Sequence, residues 1–74
     1  MRRRYTVLLI PDAEEGGYTV TVPALPGCVT EGDTLEEALH MAKDAIRLYL
    51  EDVEASGEPV PEETAAPQLA AVEV

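Results

Sequence analysis

The chain has 74 residues, no Trp or Phe, one Cys, and fifteen acids against five bases, for a formal net charge of −10. That length allows one domain with a small core of Leu, Val, Ile, Ala and Tyr, for which self-association is a natural source of stability. A lone Cys forms no internal disulfide, no apolar run reaches bilayer length, and the acidic balance repels phosphate backbones; the expectation is a cytoplasmic chain without membrane or direct nucleic-acid contact.

Residues 1–3 begin a basic N-terminal end, Met1-Arg2-Arg3-Arg4, followed by too short an apolar run and no cleavage site for a secretory signal. Arg4–Pro11, "RYTVLLIP", reads as a strand apolar on both faces, with Tyr5, Val7 and Leu9 on one side and Thr6, Leu8 and Ile10 on the other. "DAEEGG" is a turn in which Gly16 and Gly17 can take positive φ. "YTVTV" alternates strictly, so Tyr18, Val20 and Val22 share the inner face of a second strand. Pro23 ends that strand and Pro26-Gly27 turns the chain. Cys28–Glu31 is a short third strand, punctuated by Gly32-Asp33.

Thr34-Leu35-Glu36-Glu37 has the form of a capping box, with the Thr34 hydroxyl on the Glu37 N–H and the Glu37 carboxylate reaching back to Thr34. Leu35, Ala38, Leu39, Ala42, Ala45, Ile46, Tyr49, Leu50 and Val53 then recur at helical spacing, as one apolar stripe requires. Met41 and Leu48 lie roughly 100° or more from the stripe centre and form a second, narrow apolar strip, a possible surface for a partner or for self-association. Gly57 stands just past the helix, and Pro59 and Pro61 stop its continuation. Residues 58–67 are a Pro- and Glu-rich connection. Gln68–Val74 is expected as a short last strand, the alternative being a frayed tail. The order β-β-β-α-β gives an α+β domain spanning residues 1–74, one sheet of order 3-2-1-4 covered by a single helix.

No constellation for catalysis emerges. Cys28 has no second Cys and no nearby base in sequence, and the single His, His40, falls on the polar side of the helix. A two-metal nuclease site needs carboxylates on the first strand, the helix and the last strand. Here the first strand has none; Asp12 lies past its end, Glu37 serves as a cap, and Glu73 is near the terminus. We therefore expect no catalytic residue, no metal site and no cofactor.

Glu14–Asp52 resembles the N-terminal domain of the HicB-like antitoxin family. The features that carry the resemblance are Gly16, Gly17 and Tyr18, then Pro23, Leu25, Pro26, Gly27 and Cys28, then Gly32, Asp33, Thr34, Glu37 and Ala38. The resemblance implies a partly degraded ribonuclease H-like fold without nuclease activity. It further implies a protein-binding module that binds and neutralises a HicA-type toxin, a small basic protein that cleaves messenger RNA. Many such antitoxins carry a C-terminal DNA-binding domain; this sequence stops at Val74, so a stand-alone form is expected, with operator binding left open. A homo-oligomer, dimer or tetramer, is expected as well. The alternative is an orphan self-associating structural or regulatory domain with no toxin partner.

Overall fold

The computed structural model describes residues 3–74, so Met1 and Arg2 of the basic end lie outside the described residues. The elements are β1 (Leu8–Pro11), β2 (Tyr18–Thr21), β3 (Val29–Gly32) and α1 (Leu35–Ala55). The strands form one antiparallel sheet of order β1-β2-β3, and the helix lies across it, packed chiefly against β3. The chain is thus an α+β fold in two layers.

Register follows the alternation. Leu9 pairs with Val20, and Val20 with Thr30, so Leu9 and Val20 meet the helix on the inner face. Leu8, Thr21 and Val29 form a column on the outer face. β1 starts later than the sequence predicts. Because Leu8 stands opposite Thr21, Thr6 would need Pro23 as its partner, and proline offers no ladder N–H. Tyr5 and Val7 still pack inward, against Val22, Leu25 and Cys28.

The core is two small clusters. Val20, Ala38 and Ala42 make one, and Val22, Leu25 and Cys28 the other. The helix fits closely because Gly32 sits beneath its first turn, where a Cβ would stand 2.5 Å from the Ala38 nitrogen. Thr34 is the N-cap as expected, its hydroxyl accepting from the Glu37 N–H at 3.0 Å. The Glu37 carboxylate, however, accepts from the Asp33 N–H at 3.4 Å, one residue before the donor that the capping box predicts. At the other end the Glu58 N–H reaches the Val53 carbonyl and the Gly57 N–H the Glu54 carbonyl, a Schellman closure with Gly57 at φ 77°.

The expected fourth strand is absent. Gln68–Val74 forms no strand and is exposed throughout, so the order 3-2-1-4 is reduced to its first three members. The chain does return beside the first strand, but side chains make the contact. The Thr6 N–H and hydroxyl both donate to the Glu63 carboxylate, at 2.6 and 2.7 Å, and the Tyr5 hydroxyl donates to the Pro61 carbonyl at 2.6 Å. Extended from Thr6 opposite Glu63, a parallel register brings Pro67 level with Ile10, near the end of β1. Gln68–Val74 therefore falls beyond the sheet edge it was expected to extend. Without a fourth strand the helix stripe is only partly covered: Ala38 and Ala42 are buried, but Leu39 remains 47% exposed.

Candidate functional site

Two stretches singled out in the sequence meet at one place. The hairpin loop Asp12–Gly17 is closed by the Asp12 N–H to the Gly17 carbonyl, and the Asp12 carboxylate accepts from the N–H groups of Glu14 and Glu15. The pairing of Tyr18 with Gly32 then lays this loop beside the β3–α1 junction. Gly17 permits the approach, for its φ is +79° and a Cβ there would lie 2.8 Å from the Gly32 carbonyl oxygen. The result is an open cleft of about 400 Å³. Asp12, Glu15, Glu31, Asp33 and Glu37 line it, with Gly16, Tyr18, Thr19, Gly32 and Met41 completing the wall. Among the described residues no cation lines it.

This cleft collects five carboxylates on one open surface. Among the described residues, no group of three or more His, Cys, Asp or Glu is placed to hold a metal ion. Asp12 is engaged in its turn, Glu37 caps the helix, and Glu73 lies in the exposed tail. What the arrangement can do is present a concentrated negative field, with the Met41 side chain as an apolar contact, to a cationic surface.

The remaining motif residues form the opposite corner. Pro23, Pro26 and Gly27 carry the chain through successive turns, with the Leu25 N–H on the Val22 carbonyl and the Cys28 N–H on the Leu25 carbonyl. These turns drive Leu25 into the core beside Cys28, and the Tyr49 hydroxyl ties the helix to the corner through the Pro26 carbonyl at 3.0 Å. Burial pushes the Cys28 thiol above its ordinary pKa, the reverse of what a nucleophile needs. His40 is on the exposed face of the helix, 3.6 Å from Asp44, which also accepts from Arg47 at 2.7 Å. Leu48 is 62% exposed on the same helix flank as Met41. Asp12, Glu15 and Glu31 carry no individual motif signal; only the strand register could have placed them together.

The profile of the "HicB_like antitoxin of bacterial toxin-antitoxin system" matches residues 5–73. A UPF0150 protein of Thermoplasma acidophilum is 48% identical over 62 residues, which are 84% of this chain and 88% of that protein. A UPF0150 protein of Synechocystis is 48% identical over 59 residues, 80% of this chain and 73% of the relative. Antitoxin HicB 1 of Photorhabdus laumondii is 53% identical over 55 residues, 69% of this chain but only 35% of that antitoxin.

Proposed function

The chain belongs to the HicB-like antitoxin family, and from that premise we propose that it neutralises a small basic toxin of the HicA type by seating it on the acidic cleft. Family membership supports an antitoxin role and a non-enzymatic one. The observation that carries the partner assignment is the convergence of both motif segments, with Asp12, Glu15, Glu31, Asp33 and Glu37, on one open surface. A field of one sign speeds the encounter with a partner of the opposite sign and fixes its orientation, while Met41 and neighbouring Leu48 add apolar contact.

The fold supports the same reading. The β-β-β-α order is that of the opening of a ribonuclease H-like domain, here without the strand that would carry a third inward carboxylate. We read it as a degraded form of that domain, retained for binding, in a cytoplasmic and self-associating protein. Among the described residues no helix is long and apolar enough to cross a membrane.

The test is titration calorimetry with a small basic protein of the HicA type. We expect a complex at micromolar concentration or tighter, weakened as salt rises, because exposed charges are screened beyond roughly 10 Å at 0.1 M. Glu31→Gln with Asp33→Asn should weaken it roughly tenfold, two lost charge contacts at up to about 1 kcal/mol each. Absence of any complex, or an affinity indifferent to both salt and the double variant, removes the basis for the assignment.

A further inference from the structure

The half-covered flank of the helix has a composition unlike the rest of the molecule. Between α1 and residues 3–7, which lead into β1, Val7, Leu39 and Ile46 line a depression of about 380 Å³, and Arg3, Arg4 and Lys43 stand on its rim. A second depression of about 480 Å³ continues it along Ile46 and Leu50, where Arg47 is joined by the carboxylates of Glu51 and Glu54, so the uncompensated positive charge is at the first depression. A chain with only five basic residues against fifteen acids thus places four of the five around one apolar groove. Arg47 is paired with Asp44, but among the described residues Arg3 and Lys43 form no ion pair.

The molecule also carries a segment of complementary composition. Gln68–Val74 reads "QLAAVEV"; Leu69 is 86% and Val72 83% exposed, and Glu73 lies between Val72 and Val74. The segment belongs to no strand or helix and is exposed along its length. Pairing two grooves face to face would oppose cation to cation. A tail seated in the groove would bring Leu69 and Val72 to Leu39 and Ile46, and Glu73 to Lys43.

We propose that each copy of this chain docks its Gln68–Val74 segment in the groove between residues 3–7 and α1 of a second copy, forming a reciprocal two-fold dimer. The proposal rests on the self-association advanced above and gives it a surface distinct from the toxin cleft. An exchange of this kind is closed, each tail filling the partner's groove, and it covers the helix stripe that the missing fourth strand leaves open.

Sedimentation equilibrium of the full chain tests it, with the wild type, Val72→Asp, Lys43→Glu, and Lys43→Glu combined with Glu73→Lys. The wild type should sediment at twice the 8.0 kDa chain mass. Val72→Asp, at a position with no packing to lose in the monomer, should keep the circular dichroism spectrum and weaken the dimer roughly a hundredfold or more, since two buried valines are lost per dimer. Lys43→Glu should weaken it up to roughly tenfold, two symmetry-related surface pairs being lost, and the charge swap should restore it. A wild type that is monomeric up to millimolar concentration overturns both self-association and this surface. An oligomer that is indifferent to Val72→Asp, or to Lys43→Glu, overturns the tail-in-groove assignment alone.

Discussion

The contact between β3 and the first helical turn can be tested with three glycines that differ in one physical respect each. At Gly32 the backbone φ is not in the left-handed region, and alanine is excluded by space alone: its Cβ would lie 2.5 Å from the Ala38 nitrogen and 2.6 Å from the Ala38 Cα. Both are backbone atoms of the helix, so no side chain can swing aside. The first contact is about 0.9 Å short of 3.4 Å, where ordinary packing begins. The helix start must retreat from β3, and with it Ala38, a fully buried member of the core. Overpacking costs about 1–3 kcal/mol, and a clash with backbone belongs at the upper end. A domain of this size has roughly 4–11 kcal/mol of stability in total. At roughly 4–8 °C per kcal/mol, a loss of about 3 kcal/mol lowers Tm by roughly 12–24 °C.

Gly16 supplies the opposite case. Its φ is +80° and nothing lies within 4 Å of an added Cβ, so Gly16→Ala incurs only the left-handed backbone penalty, about 1–2 kcal/mol. Gly17 combines the two, with φ +79° and a Cβ 2.8 Å from the Gly32 oxygen. Thermal unfolding followed by far-ultraviolet circular dichroism should place Gly16→Ala nearest the wild type, with Gly32→Ala and Gly17→Ala well below it. A Gly32→Ala melt within about 3 °C of wild type, or one above that of Gly16→Ala, would show that the helix is not seated on β3 in this way.

Two further outcomes follow from single groups. The Glu63 carboxyl is held below its ordinary value of 4.5, first by the Thr6 hydroxyl and then by the Thr6 N–H. A depressed folded value means that the tether is complete above pH 4.5 and is lost as pH falls through the lowered value. The Thr6 amide resonance should therefore shift below pH 4.5 in the wild type and show no such step in Glu63→Gln; identical titrations in both would contradict the contact. The Cys28 thiol, buried and raised in pKa, should react with a disulfide reagent only as fast as the domain opens, at a rate matching amide exchange of Val20. Rapid, stoichiometric labelling of the native chain would refute its burial.

Much of the fold was legible because its signals are local. Thr34 and Gly57 mark the two ends of α1, and both act there. The alternation of Tyr18 and Val20 gives β2 its inner face, and Val22, just past the strand's end at Thr21, continues it into the core ahead of the turn at Pro23. The fourth strand was misread for a reason that is not local. "QLAAVEV" alternates acceptably, but whether it pairs depends on where the chain lands on β1, and the Glu63–Thr6 contact lands it too far along. The same limit applies to the cleft. Gly17 and Gly32 stand out in the sequence as punctuation; that they touch across the Tyr18–Gly32 pairing, and so gather Asp12, Glu15 and Glu31, is a consequence of register. Leu39 was assigned to the core by periodicity alone, and periodicity does not reveal how wide the covering sheet will be.

The helix explains how a chain so acidic can present two surfaces of opposite character. Glu37, Met41 and Leu48 fall on one flank, and Leu39, Lys43, Ile46 and Leu50 on the other, roughly half a turn apart at 100° per residue. The narrow sheet leaves both flanks open, while Ala38, Ala42, Ala45 and Tyr49 hold the helix down between them. A wider sheet would have hidden the cationic flank and left the cleft as the only large opening. Losing the fourth strand thus changes what the domain can bind as well as how stable it is. If the acidic flank takes a basic protein and the other flank an acidic segment, as proposed, salt should weaken both contacts, whereas Glu31→Gln and Lys43→Glu should each weaken only one.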